Sequence, residues 1–112
     1  MREDDSFEPA LLRALQYPAR VAILATLVEH RDESLGATTI TAEAGLAAST
    51  FHSHRETLLD LELVEKHEGD GYPSYSLADT EQARLLADLD EALQRAYERR
   101  DDFVTSVEEF VE

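Results

Sequence analysis

The segment Gly45–Val64, GLAASTFHSHRETLLDLELV, decides the fold class of this chain. Gly45 supplies a turn between two helices, because glycine enters the left-handed backbone region without steric cost. The apolar side chains of the following helix share one face of a helical wheel, with His54 beside them: Phe51, Leu58 and Leu61. Polar side chains occupy the opposite face: Ser49, His52, Ser53 and Glu56. The pattern predicts an amphipathic helix that Ser49 caps.

Upstream of Gly45, the sequence predicts three helices and a short strand. Pro9 suits a first helical residue, so the first helix covers about 9–16. Tyr17-Pro18 interrupts it, since the residue before a proline avoids helical backbone angles. A second helix follows over about 18–31. The β-prone Thr38-Thr39-Ile40 is expected to form a strand, and Thr41 to cap a helix over about 42–46.

Downstream, the sequence predicts two strands and a long helix. The strands cover about 63–68 and 74–77, and Gly69-Asp70-Gly71 between them is a good hairpin signal. Asp79 or Thr80 is expected to cap the final helix, which reaches the C-terminus. The whole pattern predicts a mainly α fold with a small β-hairpin wing and a long terminal helix.

The final helix carries a heptad seam over four heptads. Its a and d positions alternate spacings of four and three residues: Gln82, Leu86, Leu89, Leu93, Ala96, Arg100, Phe103, Val107 and Phe110. Seven of these nine are apolar, and Arg100 interrupts the seam. The seam could pack on its own domain. A dimer coiled coil, or exchange of helices between subunits, is favoured, because a helix of 34 residues overhangs a body of about 70.

Three segments resemble winged helix-turn-helix regulators of the arsenic-repressor-like kind. ALQYPARVAILATL (14–27) resembles their opening helices, GLAASTFHSHRETLLDLELVEK (45–66) their recognition segment, and SYSL (74–77) their second wing strand. The long terminal helix is the dimerisation element in such regulators and in PadR-like ones. The resemblance implies a DNA-binding domain over 9–78, preceded by an acidic tail over 1–8 and followed by a dimerisation helix over 79–112.

The resemblance also implies which residues contact double-stranded DNA. The start of the recognition helix, which covers about 49–62, would enter the major groove with Ser49, Thr50, His52 and Ser53. Arg55 is a candidate for a phosphate contact, or for an ion pair with Glu56, Asp60 or another acid. The wing candidates are Lys66, His67 and Tyr72, whereas Tyr75 could belong to the wing or to the core. His54 is expected to be partly buried.

Some residues depart from the family pattern. Arg55 stands where relatives carry an apolar residue, and Glu62 stands where a glycine usually precedes the Leu-Val strand. Lys66 and His67 are the only wing residues that can carry a positive charge, whereas relatives often carry several arginines there. Arg13, Arg20 and Arg31 could touch flanking phosphates, but an ion pair within the subunit is the expectation for each.

The charge of the chain conflicts with a DNA partner. The 112 residues hold 25 acids and ten bases, for a net charge of −15, and DNA is a polyanion. We interpret this acidity as adaptation to a cytoplasm near molar salt, which suggests a haloarchaeal source. Potassium or other cations could then bridge carboxylates and phosphates. The middle segment, residues 9–78, carries −5 and all four histidines, whereas residues 79–112 carry −7.

Other function classes find little support. The chain has no cysteine, no P-loop, nucleophile elbow or HExxH motif, and no apolar run long enough to span a membrane. We therefore expect a cytoplasmic homodimeric DNA-binding regulator that is not an enzyme and holds no cofactor or metal. The alternative is a winged-helix protein-interaction module that does not bind DNA.

Overall fold

The computed structural model describes residues 9–111, and the side chains of residues 9–103. It contains five helices and three strands in this range, in chain order: α1 (Ala10–Leu15), α2 (Pro18–Glu29), β1 (Leu35–Gly36), α3 (Ala37–Ala44), α4 (Ala48–Asp60), β2 (Val64–His67), β3 (Ser74–Leu77) and α5 (Glu81–Val111). The predicted fold class is confirmed. No helix in the described part of the chain is long and apolar enough to cross a bilayer.

Proline and glycine set the expected breaks between helices. Tyr17 is extended, with φ −105° and ψ 125°, and Pro18 is the first residue of α2. Gly45 ends α3 in the left-handed conformation, with φ 71° and ψ 39°. Both predictions are confirmed, although α2 ends at Glu29 rather than near residue 31.

The start of α3 was predicted wrongly. Thr38-Thr39-Ile40 lies inside α3, and the short strand β1 comes just before it. Ile40 is fully buried in the core, and this packing overrides the β propensity of the segment. Thr41 does not cap a helix: its hydroxyl donates to the carbonyl of Ala37, one turn back in α3 (3.0 Å).

The sheet places β3 at its centre. The strand order is β1-β3-β2, and both pairs are antiparallel. Tyr75 of β3 lies opposite Leu35 on one side and opposite Lys66 on the other. The predicted hairpin of β2 and β3 is confirmed, and the short β1 covers the other edge of β3.

The core forms where α2, α3 and α4 meet the sheet. Its buried residues are Ile23, Leu24, Leu27, Leu35, Ile40, Phe51, Leu58, Leu63, Val64 and Tyr75. From α4 itself, only Phe51 and Leu58 are buried; Leu61 lies after the helix and is exposed, against expectation. Ser49 is not the N-cap either. Helix α4 begins at Ala48, so the N-cap position falls on Ala47, which is extended.

Helix α5 is anchored at its first turn. The Thr80 hydroxyl accepts the Ala83 N–H (3.2 Å) and donates to the Glu62 carbonyl (2.7 Å), so the predicted cap is confirmed. Ala83 and Ala87 are buried, and Leu86 packs against the core.

Further along the seam, Leu89 and Leu93 are each 48% exposed, and Phe103 is exposed too. The predicted seam residues Val107 and Phe110 lie outside the side chains that the structure describes.

Glu62, between α4 and β2, adopts the left-handed conformation with φ 58°. It is the only residue other than glycine to do so in the described range. A glycine would adopt this conformation without strain. Here two hydrogen bonds hold the backbone in it: the Leu63 N–H donates to the Leu58 carbonyl (3.1 Å), and the Thr80 hydroxyl donates to the Glu62 carbonyl. A side chain in this region of backbone space costs about 1 kcal/mol or more.

We therefore expect Glu62→Gly to stabilise the protein by about 1 kcal/mol, because it relieves the left-handed strain. Urea unfolding measures this change. Glu56→Gly is the matched control: it removes the same charge inside α4 and should cost about 1 kcal/mol. Destabilisation by Glu62→Gly would show that the glutamate side chain itself holds this bend.

Candidate nucleic-acid interface

The outer face of α4 begins with small and polar side chains. Ser49, His52 and Ser53 are exposed, and Thr50 is half-buried. The Ser53 hydroxyl donates to the Ser49 carbonyl (2.9 Å), which leaves its oxygen lone pairs outward. The acidic residues of the helix come later, at Glu56 and Asp60. The first two turns of α4 therefore present hydroxyl and imidazole groups without a carboxylate.

Arg55 is half-buried and tied to the wing. Its Nη1 donates to the Tyr75 hydroxyl (3.1 Å), and its buried Nε has no hydrogen-bond partner. The expected alternative, a pair with Glu56, Asp60 or another acid, is not observed: no carboxylate of residues 9–103 comes within 4.0 Å of its guanidinium. The positive charge of Arg55 is thus left uncompensated by those residues.

Tyr75 belongs to the core. It is 1% exposed, and its ring meets the ring of Phe51 edge-on, with centroids 5.2 Å apart and an interplanar angle of 77°. One buried ring on β3 therefore contacts α4 twice, through Phe51 and through Arg55. The contact fixes the position of α4 relative to the wing.

The wing neutralises its own basic groups. Lys66 Nζ lies 3.3 Å from Glu68 Oε2. The Nε2 atom of His67 is hydrogen-bonded to the Ser76 hydroxyl (2.8 Å) and lies 3.9 Å from Glu65 Oε1. Tyr72, near the hairpin tip, is 97% exposed. Of the three predicted wing residues, Tyr72 alone projects fully into solvent.

His54 lies on the other border of the buried face of α4. It is half-buried as predicted, and its Nδ1 accepts a hydrogen bond from Arg20 Nε (3.2 Å). Its ring lies 5.2 Å from the Tyr17 ring.

The expectation of an ion pair for Arg20 and for Arg13 is wrong within residues 9–103. Of Arg13, Arg20 and Arg31, Arg31 alone has a carboxylate partner there, Glu91 at 4.0 Å.

A second histidine joins α2 to α3. His30 Nε2 lies 2.8 Å from Glu43 Oε1, and this hydrogen bond, with the nearby charges of Glu43, Glu33 and Glu29, raises the pKa of His30. Glu29 brings a third potential ligand atom within 4.8 Å of the other two. Both glutamates are exposed, and His30 is already paired with Glu43, so we interpret the group as an ion pair. Sequence spacing gave no signal for it, because His30 and Glu43 are 13 residues apart.

Similar proteins were found only among solved structures. No family profile and no curated protein matches the chain. The cadmium metal-sensor CMTR from Mycobacterium tuberculosis is 33% identical, with 70% of this chain and 79% of that chain covered and a TM-score of 0.55. A predicted DNA-binding transcriptional regulator from E. coli is 25% identical, with 75% and 85% covered and a TM-score of 0.62.

The chain belongs to the winged helix-turn-helix transcriptional regulators. A homodimeric winged helix-turn-helix DNA-binding domain from Mycobacterium bovis shares the fold at 20% identity, with 89% of this chain and 95% of that chain covered and a TM-score of 0.61. In winged-helix terms, α3 and α4 form the helix-turn-helix, and β2 and β3 form the wing.

The double contact at Tyr75 yields a test of how this winged helix is held together. Tyr75→Phe removes the hydroxyl that Arg55 donates to, and should cost about 1 to 2 kcal/mol of unfolding free energy. Tyr72→Phe makes the same change at an exposed ring and should cost nothing measurable. Equal urea midpoints for the two variants would show that the Arg55–Tyr75 bond contributes no stability.

Proposed function

We propose that the chain is a dimeric, sequence-specific DNA-binding regulator of the arsenic-repressor-like kind. In this proposal, α4 reads the major groove with Ser49, Thr50, His52 and Ser53, and the wing contacts the backbone. The observation that carries it is the first half of α4, which presents hydroxyl and imidazole groups and no carboxylate although the chain carries −15. Such groups hydrogen-bond phosphates and base edges.

The acidity of the chain sets the conditions for this binding. At low salt, a protomer of −15 should be repelled by DNA. Near molar salt the Debye length falls to about 3 Å, so long-range repulsion is screened and short-range hydrogen bonds decide. We propose that the protein works in a haloarchaeal or similarly saline cytoplasm, where potassium or other cations bridge carboxylates and phosphates.

A second copy of the chain is the proposed partner of α5. The seam residues Leu89 and Leu93 are half-exposed, and a groove of about 460 Å³ separates α5 from α1. Ten side chains line this groove, all apolar but one: Ala10, Leu11, Ala14, Leu15, Leu61, Leu63, Gln82, Leu85, Leu86 and Leu89. Leu11 on its rim is 65% exposed. Apolar side chains of a second copy would cover this surface, which supports an interface that includes α1 as well as the seam.

DNA binding is tested by a mobility-shift titration at high KCl with the DNA upstream of the chain's own coding sequence. His52→Ala and Ser53→Ala should each weaken binding by about tenfold, because a base-edge contact contributes about 1 to 3 kcal/mol. Ser34→Ala, in the loop before β1, is the matched control for Ser53→Ala and should bind like the wild type. Circular dichroism checks that each variant remains folded.

If the wild-type protein remains a folded dimer and shifts no DNA, the proposal fails. That result would support the alternative, a winged-helix module that binds another protein. If His52→Ala and Ser53→Ala bind as tightly as Ser34→Ala, α4 is not the reading helix.

The dimer has its own test. Leu89→Asp combined with Leu93→Asp should convert the protein to a monomer, because two carboxylates would be buried in an apolar interface. Light scattering coupled to size-exclusion chromatography measures the mass, and cooperative DNA binding should be lost with the dimer. Gln94→Asp, which adds a charge beside the seam, should leave the dimer intact. A double variant that stays dimeric would place the interface elsewhere.

A further inference from the structure

Tyr17, Arg20 and His54 form a cluster, here called the Arg20 cluster, where the start of α2 meets α4. Arg20 Nε donates to His54 Nδ1 (3.2 Å), and Arg20 Nη1 donates to the Arg13 carbonyl (2.7 Å). The guanidinium carbon lies 4.7 Å from the centroid of the Tyr17 ring, which also contacts the His54 ring. Two side chains and one backbone carbonyl, from α4, from the residue before α2 and from α1, therefore hold one guanidinium in place.

Every partner of this guanidinium is electrically neutral. Among the lysine and arginine side chains of residues 9–103, Arg31, Lys66 and Arg84 have a carboxylate within 4.0 Å. Within residues 9–103, no carboxylate comes that close to Arg20. Other arginines of this range also lack such a carboxylate, but Arg20 is in addition held in place by neutral partners, and a fixed cation without a counter-charge suits an external anion.

The remaining hydrogen-bonding groups of the cluster are donors. Arginine has five N–H groups, and the two contacts described use two of them. Because His54 Nδ1 accepts from Arg20, the neutral imidazole carries its proton on Nε2, which is therefore a donor. Tyr17 adds a hydroxyl on a ring that is 46% exposed. Several donors around one fixed positive charge match the oxygens of a phosphate.

The position of the cluster suits a phosphate of the DNA backbone. On the helical wheel of α4, His54 and Arg55 flank the buried face on opposite sides, each half-buried. Arg20 stands beside His54, so two arginines without carboxylate partners in residues 9–103 border the helix that reads DNA.

We propose that the Arg20 cluster binds a backbone phosphate beside the groove that α4 enters. This inference rests on the proposed function, and it assigns a backbone anchor to the helical side of the domain. It also accounts for the wing, whose Lys66 and His67 are engaged by the wing's own Glu68, Glu65 and Ser76. The start of α2 would add a backbone contact to those of the wing, whose Lys66 and His67 already have partners.

The test compares Arg20→Gln with Arg31→Gln in DNA titrations at the same KCl concentration. A phosphate contact carries no sequence information, so Arg20→Gln should weaken binding to the operator and to an unrelated duplex by the same factor, about tenfold. Arg31→Gln removes the same charge just beyond the other end of α2, and this variant should bind like the wild type. Arg20→Lys, which keeps the charge but lacks the planar fork, should fall between them.

The inference is wrong if Arg20→Gln and Arg31→Gln bind both duplexes equally well while melting at the same temperature as the wild type. If the wild-type protein binds no duplex, the proposed function has failed. A pyrophosphate titration followed by NMR then tests whether the Arg20 cluster binds phosphate at all. Shifts of the Arg20 Nε–H and His54 ring signals in the wild type, with the His54 ring signals unmoved in Arg20→Gln, would keep it as a free-phosphate site. Unmoved signals would overturn it.

Discussion

The contact of Tyr75 with α4 is the interaction on which the rest of the structure depends. This buried ring lies on the central strand of the sheet, between β1 and β2, and meets both Phe51 and Arg55. Because one side chain belongs to the sheet core and supports α4, the helix and the wing cannot move independently. The orientation of α4, and with it the face proposed to read DNA, is therefore set by burial in the core.

Around that contact, five of the basic residues differ in the charge of their partners. Arg31, Lys66 and Arg84 have nearby carboxylates and contribute little beyond solvated ion pairs. Arg20 and Arg55 are held by neutral partners on either border of α4. Under the proposed function, a chain of −15 thus keeps two positive charges beside the helix that a polyanion would approach. This arrangement favours short-range contacts over electrostatic attraction from a distance.

Features that depend on neighbouring residues could be predicted from the sequence. Pro18, Gly45, the 64–77 hairpin and the Thr80 cap were correct, because each follows from local backbone chemistry. The strand at Thr38-Thr39-Ile40 was wrong because burial of Ile40 outweighs β propensity. Arg20–His54 and Arg55–Tyr75 join residues 34 and 20 positions apart, so no local pattern could reveal them. The glutamate at 62 looked unsuited to a left-handed bend, yet hydrogen bonds to Leu58 and from Thr80 hold the backbone in that bend.

The most direct test of this account is the salt dependence of DNA affinity, measured by fluorescence anisotropy with the operator from about 0.5 to 3 M KCl. Ordinary DNA-binding proteins release counterions, and their affinity falls steeply as salt rises. If hydrogen bonds from α4 and bridging cations decide binding in this protein, affinity should hold or rise across the range. The usual negative slope of log affinity against log salt would contradict the account.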